Sequence, residues 1–180
     1  QDRKQDLVIA LLKREKHEQA NIYCRTNRGT DRLWRAISRE HPSCAAMHGD
    51  MAQRERDRVL QRLRDRDLEI LVATDVVGRG IDISTISHII NYDVPEDSDD
   101  YVHRVGRTGR MGRDGVAYTF IVPGQGDFLT NIEQRINKLL IRDSMEGFDA
   151  PEKPVEIEKK EADPMKKRLN PMHRKVKRRR

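Results

Sequence analysis

The 180-residue chain contains only two cysteines, Cys24 and Cys44. Neither sits in a CxxC pair or beside a histidine cluster, so no zinc or redox site is indicated and no metal is expected. Two isolated cysteines in apolar stretches are expected to be buried as small hydrophobes. No apolar run reaches the length of about 18 residues that a membrane span needs, and no secretory signal is visible. A cytoplasmic location and no membrane partner follow as expectations. There is no initiating methionine: Gln1 stands directly before a helical pattern, so the chain is expected to be a piece of a longer protein. A phosphate-binding loop of the GxxxxGK[ST] form is also missing, since no lysine follows a glycine, and there is no DEAD tetrapeptide.

Charge, by contrast, is plentiful. Asp, Glu, Lys and Arg make up 37% of the residues and the net charge is +6. Nine of the 36 Lys/Arg and one of the 30 acids lie in residues 163–180, which leaves the rest of the chain at −2. The basicity therefore belongs to the end of the chain. Residues 151–180 hold no glycine and no aromatic residue, so they cannot bury enough apolar surface to order themselves. Residues 143–180 are expected to be a flexible, disordered basic tail. Without aromatics to stack on bases, it would bind nucleic acid nonspecifically, through its charge, or else be a solvated, solubilising end.

The body, residues 1–142, alternates helix and strand patterns. Helices are expected over 5–16, over 30–40 with Leu33, Trp34 and Ile37 inward, after Asp50 with Val59, Leu60 and Leu63 inward, from Ser98, and over 127–140. Asp50 followed by Gln53 suggests a capping box, and Ser98 suggests an N-cap. Strands are expected at 20–24, 43–47, 68–73, 87–92 and 115–122. Alternation of this kind argues for an α/β domain with a parallel sheet, whose ligands gather at the C-terminal ends of the strands.

Two segments carry chemistry. His103-Arg104-Val105-Gly106-Arg107-Thr108-Gly109-Arg110 places arginines at three-residue spacing across a helix end, with glycines to stop the helix and allow close backbone approach. Arg107 and Arg110 would project from that end, where planar guanidinium groups suit phosphate oxygens. After the strand 68–73 comes Thr74-Asp75-Val76-Val77-Gly78-Arg79-Gly80-Ile81-Asp82. Thr74 could donate to a nucleic-acid phosphate, and Asp82 could accept from a ribose hydroxyl or orient an arginine.

Together these segments resemble the C-terminal, second RecA-like domain of the DEAD-box ATP-dependent RNA helicases. Two more matches follow in the family's order: Ile22-Tyr23-Cys24-Arg25-Thr26 resembles motif IV, and His48-Gly49-Asp50 with Gln53 and Arg56 resembles the HGD and QxxR elements; Val72 to Asp82 resembles motif V. Tyr101 to Arg110 resembles motif VI, and the resemblance covers roughly residues 1–140. Motif V has Val77-Gly78 where two alanines are common, a departure that removes no polar contact. The resemblance implies a three-layer RecA-like fold. It implies that Arg107 and Arg110 are catalytic and contact the γ-phosphate of ATP, that Gly80 and Asp82 line the nucleotide and its ribose, and that His103 couples this site to the RNA side. It assigns Thr26, Gly49, Gln53, Arg56 and Thr74 to the RNA sugar–phosphate backbone. ATP with Mg²⁺ would be held mainly by an N-terminal RecA-like partner domain, and this half alone would hydrolyse ATP negligibly. The alternative is a non-catalytic RNA-binding or partner-docking module.

Overall fold

The strands of this chain are apolar on both faces, the signature of a sheet covered on both sides. In the computed structural model, which describes residues 2–75, 86–109 and 115–148, five such strands lie side by side and all parallel. They are β1 (Ala20–Cys24), β2 (Cys44–Met47), β3 (Ile70–Thr74), β4 (His88–Asn91) and β5 (Val116–Thr119), in the order β2-β3-β1-β4-β5. All residues of β1 to β4 are buried, whereas β5 stands at an edge and is only partly covered.

The helices are α1 (Asp2–Arg14), α2 (Asn27–Ile37), α3 (Gln53–Arg64), α4 (Ser98–Val105) and α5 (Gly126–Ile136). Side chains alternate between the faces of a strand. Tyr23, Ala45, Met47, Leu71, Ala73 and Ile89 form one core cluster with Val59 and Leu63 of α3. The intervening Ile22, Ile70, Val72 and Ile90 are equally buried and serve the opposite face. There α2 packs across β1, β2 and β3 through buried Leu33 and Ile37, and α1 packs on α2. Cys24 and Cys44 are buried free thiols in these strands, and burial pushes both thiols up to about 12. Trp34 is half-buried, with its indole N–H donating to the Cys44 carbonyl at 3.2 Å. A smaller cluster of Val94, Tyr101 and Ile132 joins α4 to α5. The result is the expected three-layer α/β RecA-like fold with a parallel sheet.

The chain divides into two units, Gln1–Ser144 and Met145–Arg180. Of the second, the described part is the turn in which Phe148 N–H donates to the Met145 carbonyl. The tail expected over 143–180 falls mostly outside the described residues.

Several helix ends differ from their sequence reading. α2 begins at Asn27, three residues before the expected Thr30, because Thr26 caps it: its hydroxyl oxygen accepts from Gly29 N–H at 3.1 Å. α3 is not capped by Asp50. Its N-cap is Ala52, whose amide donates to the Glu55 carboxylate at 3.1 Å, so only the returning half of a capping box forms. Ser98 is the first helical residue of α4, and the cap is Asp97, which accepts from Asp99 N–H at 2.8 Å. α5 ends at Asn137, a left-handed residue with φ 51, rather than at Leu140.

Candidate functional site

In a parallel sheet all C-terminal strand ends open on one edge. Here the register sets Cys24 beside Thr74, Tyr23 beside Asn91 and Met47 beside Ala73. The residues that leave β1, β2, β3 and β4 therefore share one rim, on either side of the place where the chain order reverses around β1.

On the β2-β3-β1 side this rim collects the residues expected to face RNA. Thr26 is exposed at the start of α2. Gly49 lies against the same helix start, where an added Cβ would come within 4.0 Å of Asn27 Nδ2. His48 is buried, and its Nε2 lies 3.0 Å from Asp31 Oδ1 on the second turn of α2, which ties the loop after β2 to that helix. Gln53 and Arg56 sit on the first turn of α3, with Arg56 Nη2 donating to Gln53 Oε1 at 2.5 Å. Gln53 in turn donates to Asp57 at 2.7 Å. Three buried polar atoms on this side have no partner among the described residues: Thr74 Oγ1, His48 Nδ1 and Arg56 Nε. Buried polar atoms are rarely left unpaired. A rim with three of them, between two helix N-termini, is chemically suited to an anionic backbone.

On the β1-β4 side the dominant group is Arg104, which is 4% exposed. Its Nε and Nη2 donate to the two carboxylate oxygens of Asp75 at 2.6 and 2.5 Å. Its Nη1 donates to Asn91 Oδ1 at 3.0 Å and to the Asp93 carbonyl at 2.9 Å. The guanidinium also lies 4.9 Å from the centre of the Tyr23 ring. Burial pushes the Tyr23 phenol up to about 12, against the opposing pull of that guanidinium. A charge taken out of water needs a partner and full hydrogen bonding, and Arg104 has both.

Sequence reasoning passed over Arg104 in favour of the arginines three and six residues later. The signal was available: Arg104 follows the buried Tyr101 by three positions and so shares its inward helix face. With Arg104 turned into the domain, His103 is exposed and Arg107 stands just past the helix end, with its Nε donating to the His103 carbonyl at 3.3 Å.

The helix stops at Gly106, whose φ of −63 makes no use of glycine's freedom. Glycine is required at 109 and 115. Gly109 has φ 66, and a Cβ on Gly115 would sit 2.4 Å from the Gly109 nitrogen. The turn after α4 thus lies directly on the start of β5. Thr108 Oγ1 secures it within reach of the Ile86 and Ser87 carbonyls at 2.8 and 3.0 Å.

The structure thus brings Thr26, Gly49, Gln53, Arg56 and Thr74 to one side of the rim and His103 with Arg107 to the other. Gly80, Asp82 and Arg110 lie outside the described residues. Among the described residues, no group of three His, Cys, Asp or Glu could hold a metal ion, and no helix is long and apolar enough to cross a membrane.

A five-stranded parallel α/β sheet with helices packed on it defines a RecA-like domain. The chain belongs to the helicase conserved C-terminal domain family, matched over residues 3–112, and within it to the second RecA-like domain of the DEAD-box proteins. It is 40% identical over 129 residues to the ATP-dependent RNA helicase CshA of Limosilactobacillus reuteri, an alignment covering 72% of this chain and 26% of that protein. The chain spans about a quarter of the length of the curated relatives it matches. Among solved structures it is similar to the DEAD-box protein SrmB of E. coli bound to regulator of ribonuclease activity A, with a TM-score of 0.76, 30% identity, and coverage of 83% of this chain and 91% of that one. It is also similar to S. cerevisiae Dbp5 bound to RNA and ADP BeF3, with a TM-score of 0.71, 32% identity, and coverage of 76% and 37%.

Proposed function

We propose that this chain is the C-terminal half of an ATP-dependent RNA helicase, supplying arginine-finger and RNA-backbone contacts for RNA-stimulated ATP hydrolysis and local duplex unwinding. The observation that carries this reading is the end of β3. There the buried hydroxyl of Thr74, without a partner among the described residues, is followed directly by Asp75, which holds the helix that ends just short of Arg107. One strand end thus serves an RNA-facing rim and a phosphate-facing helix. The ATP-dependent RNA helicase CshA among its relatives, and the RNA and ADP BeF3 in the Dbp5 structure, support the same reading.

In this reading Thr26, Gly49, Gln53, Arg56 and Thr74 hold the RNA sugar–phosphate backbone without reading bases. Gly80 and Asp82 meet the nucleotide, and His103 couples the two sides. Arg107 and Arg110 are the catalytic pair. Their donor set fits a triphosphate: guanidinium groups stay charged and planar, and at a helix end they can be offered to a second domain. ATP with Mg²⁺ supplies the phosphoryl group and neutralises part of its charge, and both are held mainly by the N-terminal RecA-like partner. On its own this chain hydrolyses ATP negligibly, because it lacks the phosphate loop and the DEAD tetrapeptide. Residues 1–142 form the working domain, 143–180 form a basic tail that adds nonspecific RNA affinity, and the protein acts in the cytoplasm. RNA-stimulated ATP hydrolysis by Arg107→Ala and Arg110→Ala variants of the full-length polypeptide tests the assignment.

A further inference from the structure

At the end of β4, Asp93 gathers four elements. Its amide donates to the Tyr23 carbonyl of β1 at 3.1 Å, and its own carbonyl accepts from Arg104 of α4. Its carboxylate divides its two oxygens: Oδ1 accepts from Lys4 Nζ of α1 at 2.8 Å, and Oδ2 accepts from the Arg25 amide at 3.0 Å. The Lys4 and Asp93 side chains keep only 18% and 25% exposure, and the ammonium lies 4.2 Å from the centre of the Tyr92 ring. Such a pair is screened much less than an open surface ion pair.

Arg25 immediately precedes Thr26, the residue that caps α2 and lies on the RNA-facing rim. A bond from a backbone amide to an ionised carboxylate is short and strong, roughly twice a neutral one. It fixes the turn between β1 and α2 at the position where that turn must present both the Thr26 side chain and the first amides of α2.

We propose that the Asp93 carboxylate is a positioning residue for RNA binding. By clamping the Arg25 amide it sets the turn that offers Thr26, and Lys4 holds the carboxylate in the orientation that reaches Arg25. This rests on the assignment of the Thr26 rim to RNA. Helix α1 is thereby tied to the RNA rim through one side chain. A merely structural tie between α1 and the sheet would alter stability and leave RNA affinity alone.

The test uses the full-length polypeptide, with ATP hydrolysis measured against increasing single-stranded oligouridylate. Asp93→Ala is expected to raise the half-saturating RNA concentration about tenfold, the scale of one lost charge-assisted hydrogen bond. Asp93→Asn keeps an oxygen for Arg25 without the charge and is expected to raise it about threefold. In both, the maximal rate stays within about twofold, because no group on the phosphate side is altered. Lys4→Met is expected to raise the half-saturating concentration, and Lys4→Arg to restore it. Thr26→Ala is run alongside. If it raises the half-saturating concentration while both Asp93 variants leave it unchanged, the positioning role is wrong and the RNA rim stands. If Thr26→Ala and Thr74→Val also have no effect, the RNA rim itself is wrong. A fall in maximal rate at unchanged half-saturation would equally overturn the positioning role. Should Asp93→Ala fail to fold, Asp93→Asn decides.

Discussion

Arg104 grips Asp75 with both arms of its fork, at 2.6 and 2.5 Å, and so fastens the helix of the arginine-rich segment to the end of β3. The contact joins the two segments that sequence reading singled out separately. Arg104 is buried and Asp75 half-buried, so removing the arginine leaves a partly desolvated carboxylate, Asn91 Oδ1 and the Asp93 carbonyl without their donor. Arg104→Met is therefore expected to cost about 3 kcal/mol of unfolding free energy. Arg104→Lys, which keeps the charge and loses the fork, should cost less. Urea denaturation followed by circular dichroism measures both, and equal stability of Arg104→Met and the parent would refute the role of the pair.

Thr74 is expected to separate stability from function. Its hydroxyl is buried without a partner among the described residues, which costs folding free energy that an RNA phosphate oxygen can offset on binding. Thr74→Val replaces the hydroxyl by a methyl of similar shape. It should melt at or above the parent temperature while the half-saturating RNA concentration rises about tenfold. Paired thermal melts and RNA titrations check this. A lower melting temperature with unchanged RNA binding would count against it.

Acid should weaken the fold through its histidines before its carboxylates. Burial is the main cause holding His88 below its ordinary 6.5, and the same holds for His41; nearby His17 adds to the effect in both. A histidine whose folded pKa is lowered binds its proton first in the unfolded chain. Stability is then lost as pH falls from about 6.5 toward the folded pKa, and none is lost above 6.5 from this cause. His88→Gln should flatten the dependence of unfolding free energy between pH 7 and pH 5, measured by urea titration at each pH. An unchanged slope would assign the acid loss elsewhere.

The tail prediction is electrostatic. Residues 163–180 carry nine Lys/Arg and one acid. If several of these meet phosphates, log affinity for single-stranded RNA should fall with log salt by about 0.7 per contact. Deleting residues 151–180 should therefore lower affinity at low salt and make the slope shallower. Identical slopes would leave the tail without a phosphate-binding role.

Much of the fold was legible because buried parallel strands read as continuous apolar runs. The span Ala20–Cys24 matches its expected bounds, and the helices fall at their expected places. The helix ends were less legible. Asp50 and Ser98 are good capping residues, but Glu55 and Asp97 reach the free amides instead, and only the backbone path decides between neighbours. In the candidate site, the arginine spacing pointed to Arg107 as a phosphate ligand. It did not separate the inward Arg104 from Arg107, which needed the helix phase set by Tyr101. Asp93 was illegible for a different reason: a carboxylate that bonds Lys4 and the Arg25 amide joins residues 89 and 68 positions apart, and no local pattern records such a contact.

The most direct measurement is RNA-stimulated ATP hydrolysis by the full-length polypeptide with Arg107 replaced by alanine. An arginine that neutralises charge on a transferred phosphoryl group is worth on the order of 10³-fold or more in rate. The maximal rate of Arg107→Ala is therefore expected to fall at least about 100-fold, with the half-saturating RNA concentration little changed and the fold intact by circular dichroism. A folded Arg107→Ala protein that hydrolyses ATP at the parent rate would contradict the assignment of this helix end to the phosphate.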